Sequence, residues 1–123
     1  MKQHSQGFLA LVTEAKKHIK EIAPKKLKEK IDRHESMQLV DVREMNEWET
    51  GYISTAMHLS KGVIERDIEK KIPDLNTQVI VYCSGGFRSA LVADNLQKMG
   101  YTNVSSLETG LQGWLDEGYS LHK

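Results

Sequence analysis

The sequence predicts an α/β fold, with a mainly parallel central sheet covered by helices on both faces. Three observations carry this. Short branched apolar runs at Leu39-Val40-Asp41-Val42 and Val79-Ile80-Val81-Tyr82 have the length and composition of buried strands. The stretches between them place apolar residues at helical spacing. Finally, Val79–Tyr82 runs straight into the only cysteine, a Gly-Gly turn and a new helical pattern. Strand, tight loop and helix thus follow one another without a linker.

Taken in order, Phe8, Leu11, Val12, Ala15 and Ile19 fall on one helical face and predict an amphipathic helix of about three turns. It would pack over the core or meet a partner. A short extended piece follows at Glu21-Ile22. Pro24 suits the first turn of a helix through Arg33, with Leu27 and Ile31 on its buried side. Met37–Val42 reads as a strand, and Asn46–Thr50 as a short helix stopped by Gly51. Tyr52-Ile53 and Ala56–Leu59 predict another brief strand. Val63, Ile64, Ile68 and Ile72 then space out a helix that Pro73 ends.

Gln78–Tyr82 is the expected central strand. Ala90, Leu91, Val92, Ala93, Leu96 and Met99 make the next helix apolar over most of its circumference, as packing on a sheet requires, and Gly100 caps it. Asn103–Leu107 is the last strand. Gly110, Gly113 and Trp114 are expected to turn into a short closing helix. The division implied is an N-terminal helical extension at 1–19 and a single domain at 20–123.

A chain of 123 residues can build its core without disulfides or a structural metal. Its net charge of zero gives no electrostatic case for nucleic acid or an anionic membrane. The charge is uneven: residues 1–40 carry nine Lys/Arg against five Asp/Glu, which reads first as solvated helix faces. The apolar run Phe8–Val12 is too short for a signal peptide or a membrane span. One cysteine permits no internal disulfide, so a reducing, cytoplasmic home is expected. His4, His18, His34, His58 and His122 lack ligand spacing, and no metal site is expected.

The chemistry is expected at Cys83. Reactive groups in open α/β sheets lie beyond the carboxyl ends of the strands, where this cysteine falls. Gly85 and Gly86 let the backbone turn several N–H groups inward, and Arg88 with the helix N-terminus adds positive potential. Such a setting favours thiolate over thiol. The bland alternative is a buried structural cysteine.

Cys83-Ser84-Gly85-Gly86-Phe87-Arg88-Ser89 resembles the active-site loop of the rhodanese family of sulfurtransferases. Leu39–Glu44 resembles the family's D-x-R strand end. Gly51–Leu59 resembles its G-H-I-P-G-A segment, and Gly110–Trp114 its closing Gly/Trp motif. The resemblance spans about residues 20–118 and implies a three-layer fold. It also implies a double displacement, in which Cys83 takes sulfur from a donor such as thiosulfate and passes it to cyanide, a small thiol or a protein thiol. The intermediate would be a covalent persulfide with no cofactor. Ser84 through Ser89 would form the binding loop, with Arg88 contacting an anion. Asp41 and Arg43 would flank the pocket, or else form an ion pair at the strand end. Tyr52, Ser54 and Thr55 replace the family's usual His, Pro and Gly, and Thr109 stands where glycine is common. Two other readings remain. One is a persulfide carrier acting with a protein partner. The other is a cysteine phosphatase or arsenate reductase, whose loops resemble Cys, five residues, then Arg; here only four residues intervene.

Overall fold

The computed structural model describes residues 3–123. It is a five-stranded sheet with every pairing parallel, in the order β1-β5-β4-β2-β3. The strands are β1 (Lys20–Ile22), β2 (Gln38–Asp41), β3 (Met57–His58), β4 (Val79–Tyr82) and β5 (Val104–Leu107). The helices are α1 (Gln6–Lys16), α2 (Pro24–Asp32), α3 (Met45–Trp48), α4 (Ile64–Lys71), α5 (Phe87–Lys98) and α6 (Gly110–Asp116). The three-layer α/β architecture expected from the sequence is therefore present, and β4 is its central strand.

Side-chain alternation divides the core into two layers. Val79 and Val81 of β4 point to one face with Val40, Val42 and Val104, against Ile64 and Ile68 of α4 and Val92, Ala93 and Leu96 of α5. Ile80 and Tyr82 point to the other, with Leu39 and Leu107, against Leu27 of α2 and Leu111 and Trp114 of α6. Cys83 continues the first set, so its side chain emerges on the α5 side. That alternation decides which helix the sulfur meets.

Several boundaries differ from the sequence expectation. The first helix ends at Lys16 rather than reaching Ile19, which packs at the margin of the core instead. It lies against α5 through buried Val12 and Ala15. The brief strand expected from Tyr52-Ile53 and Ala56–Leu59 forms only in part. Only Met57–His58 joins the sheet, while Tyr52 bridges antiparallel to His122. Between them Thr55 sits at φ +77°, a left-handed turn that no continuous strand can contain. Gly113 and Trp114 lie inside α6 rather than in a turn before it. Gly113 is accommodated there because a Cβ would fall 1.6 Å from Thr109 Oγ1. Gly100, at φ +108°, ends α5 as expected, with the Tyr101 N–H returning to the Leu96 carbonyl at 3.1 Å.

Candidate active site

The loop after β4 is shaped by two glycines that no other residue could replace without rearrangement. Gly86 adopts φ +92° at the N-cap of α5, and a Cβ there would lie 2.4 Å from the Glu108 carbonyl oxygen. Gly110 adopts φ +61° at the start of α6, where a Cβ would meet the Cys83 and Ser84 backbone at 2.6 Å. This close approach lets α6 hold the loop from behind. The Leu111 N–H donates to the Cys83 carbonyl at 2.8 Å, and the Gln112 N–H to the Ser84 carbonyl at 2.9 Å. Two otherwise orphaned N–H groups of a helix N-terminus are satisfied this way.

With the loop so held, its own amides turn toward the sulfur. The Gly86 N–H donates to Cys83 Sγ at 3.2 Å and the Ser89 N–H at 3.4 Å. Ser89 Oγ lies 3.5 Å from the sulfur and 2.8 Å from Ser106 Oγ, forming a buried polar chain from the cysteine to β5. Two N–H dipoles at the head of α5 are arranged to stabilise negative charge on this atom. Cys83 is only 1% exposed, yet it lines a cavity of about 760 Å³. The residue is thus enclosed by the loop with one side open to that cavity.

Ser84, Gly85, Phe87 and Arg88 from the loop also line the cavity. Arg88, however, does not present a free charge. Its Nη1 and Nη2 donate to Glu47 Oε2 and Oε1 at 2.8 and 3.0 Å. Ser84 Oγ joins this cluster, donating to Glu47 Oε1 at 3.1 Å and accepting from Arg88 at 3.3 Å. The Arg88 hydrogen bonds, opposed by partial burial, hold the Glu47 carboxyl down at about 2. The same bonds raise Arg88, and the neighbouring Cys83 sulfur adds to that effect. Glu47 itself is set by a reciprocal cap at the start of α3: its carboxylate accepts the Glu44 N–H at 2.9 Å.

Asp41 and Arg43, expected beside the pocket or in an ion pair at the strand end, are not among the residues that line the cavity. They are 0% and 3% exposed and pair with each other. Arg43 Nη2 and Nε donate to the Asp41 carboxylate at 2.7–3.0 Å, and Nη2 also donates to the Gly51 carbonyl at 2.7 Å. The ion-pair alternative is what forms, because burying either charge alone would leave it uncompensated. The pair ties the end of β2 to the turn after α3, the helix that carries Glu47.

Three cavity residues lie outside the loop and were not expected there: His4, Phe8 and Gln112. Glu47 was also missed. Only for His4 and Phe8 did the sequence hold a signal, two rings four residues apart at the start of an amphipathic helix. Nothing local to Gln112 or Glu47 indicated the loop.

Comparison with known proteins shows the family. A family model described as "Rhodanese-like domain" matches residues 23–117. The chain is 36% identical over 99 residues to "Putative sulfurtransferase YtwF" of Bacillus subtilis, covering 80% of this chain and 93% of that protein. It is 32% identical over 98 residues to "Putative sulfur carrier protein YrkF" of the same organism, covering 78% of this chain but only 51% of that protein. Among solved structures, a Rhodopseudomonas palustris protein of unknown function, titled "Possible Tyrosine Phosphatase", superposes with a TM-score of 0.84 at 26% identity, over 99% of both chains.

Proposed function

The chain belongs to the rhodanese-like domain family, and on that premise we propose that it transfers sulfane sulfur through a persulfide on Cys83. With thiosulfate as donor, the Cys83 thiolate attacks the outer sulfur, the donor's S–S bond breaks, and sulfite leaves with the bonding electron pair. The product is Cys83–S–S⁻. An acceptor thiolate or cyanide then attacks the terminal sulfur, and the Cys83 thiolate leaves. The observation that supports this most is the pair of N–H donors, Gly86 and Ser89, aimed at Sγ where it borders the cavity. Donors fixed before reaction stabilise charge on sulfur without reorganisation. No second cysteine is present to resolve the persulfide internally, so the sulfur must leave to an external acceptor. The site residues for this step are Cys83 as nucleophile and Ser84–Ser89 as its loop. The covalent intermediate needs no cofactor, and a cytoplasmic setting suits a free thiol.

The carrier reading differs only in the donor. It draws support from the likeness to a protein named as a sulfur carrier, of which this chain spans about half. A phosphatase fits the loop poorly. Only four residues separate Cys83 from Arg88, and the Arg88 guanidinium is already engaged by Glu47.

Intact mass spectrometry after thiosulfate treatment tests the proposal. A single-sulfur adduct, removed by cyanide and absent from Cys83→Ser, is the expected result. No adduct from thiosulfate or any persulfide donor, with hydrolysis of p-nitrophenyl phosphate instead, would overturn it.

A further inference from the structure

We propose that the N-terminal helix supplies an aromatic wall to the sulfur-transfer site, so that the site favours a sulfane-sulfur donor bearing an aromatic group. The inference rests on the persulfide chemistry above and adds the substrate class and the residues that select it. Ser5 caps α1 by accepting the Phe8 N–H at 3.2 Å, which fixes how the chain enters the helix. His4 and Phe8 are thereby brought together, ring centroids 5.1 Å apart, over Phe87 of the cysteine loop. His4 meets Phe87 edge-on at 4.8 Å, and Phe8 lies 6.3 Å from it. All three rings border the same cavity as Cys83, although Phe8 and Phe87 lie almost eighty positions apart in the sequence.

The size and the charge of the cavity point the same way. About 760 Å³ lies within the range that holds an organic ligand, and far exceeds what a five-atom anion fills. A dianion would seek an unpaired cation, and among the described residues the two cations beside the aromatic rings, Arg88 and Lys16, each have a carboxylate partner. Arg88 is gripped by Glu47. Lys16, whose Nζ lies 5.4 Å from the Phe87 ring centroid, is 3.5 Å from Glu21. Aromatic walls instead reward an aromatic substituent through burial and edge-to-face contact.

An arenethiosulfonate has this chemistry. Cys83–S⁻ attacks its terminal sulfur and the S–S bond to the sulfonyl sulfur breaks. Arenesulfinate leaves with the electron pair, and Cys83–S–S⁻ remains. Two negative charges stand on each side, and no outside oxidant or reductant is needed.

The test compares benzenethiosulfonate with methanethiosulfonate, which share charge and reacting atoms and differ in the organic group, with thiosulfate as a third donor. The kcat/KM ratio of benzene to methane donor is expected to be about tenfold or more in the wild type. It should fall at least fivefold in Phe8→Ala and in His4→Ala. Leu11→Ala, 62% exposed on the same helix and away from the cavity, should keep the wild-type ratio. Because each variant serves as its own reference across two donors, partial loss of folded protein cancels. A wild-type ratio near one, or a ratio that Phe8→Ala leaves unchanged, would overturn the aromatic wall while leaving the persulfide chemistry intact. If none of the three donors loads Cys83 in the mass spectrum, both readings fall.

Discussion

Glu47 and Arg88 face each other across the mouth of the cysteine loop in a two-pronged ion pair, at 2.8 and 3.0 Å, with Ser84 Oγ bonded to both. The arginine therefore serves first to brace the loop against α3. Its charge is shared with a carboxylate before any substrate arrives. The loop is held on its other side by α6, through the N–H groups of Leu111 and Gln112. Between these two supports, the amides of Gly86 and Ser89 keep their aim at the sulfur.

Glu47→Gln removes the charge of this brace. The carboxyl is held at about 2, below its ordinary value of 4.5, so its contribution to stability is complete above about pH 4.5. That contribution is lost as the pH falls toward 2. Denaturant titrations of wild type and Glu47→Gln should differ by about 1 kcal/mol near neutral pH, a modest figure because the pair is partly solvated. The difference should shrink between pH 4.5 and 2. At neutral pH the freed guanidinium should also lower the KM for thiosulfate several-fold.

Gly86→Ala should be severe in both stability and activity. The new Cβ would lie 2.4 Å from the Glu108 carbonyl oxygen in a left-handed conformation, so the loop must move. We expect a loss of about 2 kcal/mol or more in unfolding free energy. Sulfur-transfer kcat/KM should fall at least a hundredfold, since the displaced amide is one of the two on Sγ. Wild-type activity in a folded Gly86→Ala protein would contradict the assigned cradle.

Ser89 and Ser106 form a buried hydroxyl pair behind the sulfur at 2.8 Å. Ser89→Ala alone should cost about 1–3 kcal/mol, because it strands the Ser106 hydroxyl. The double variant Ser89→Ala/Ser106→Ala should cost less than the sum of the two single changes. A double-mutant cycle by thermal or denaturant unfolding measures the coupling, expected at about 1 kcal/mol.

Thr55 is an exposed β-branched residue at φ +77°. Thr55→Gly relieves that conformation at the cost of a more flexible unfolded chain. The net effect should be a stabilisation of about 0.5–1 kcal/mol, seen as a Tm raised by a few degrees, with sulfur transfer unaffected. A lower Tm would show that the threonine makes a compensating contact.

The sequence by itself determined the order of strands and helices and the place of the reactive loop. Branched runs such as Val79–Tyr82 and the apolar face of Ala90–Met99 are local patterns, set by residues that are neighbours along the chain. The cysteine loop was legible for the same reason, since Cys83, Gly86 and Ser89 lie within seven consecutive positions. The tertiary structure decided what those positions meet. Glu47 reaches Arg88 across forty-one residues, and His4 and Phe8 reach Phe87 across still more. Asp41 and Arg43 turned to each other rather than to the pocket because burial left them no cheaper partner. Spacing along a chain specifies periodicity and covalent adjacency. Which faces close on one another depends on how the helices pack over the sheet, and that is where the walls and charge balance of the site were settled.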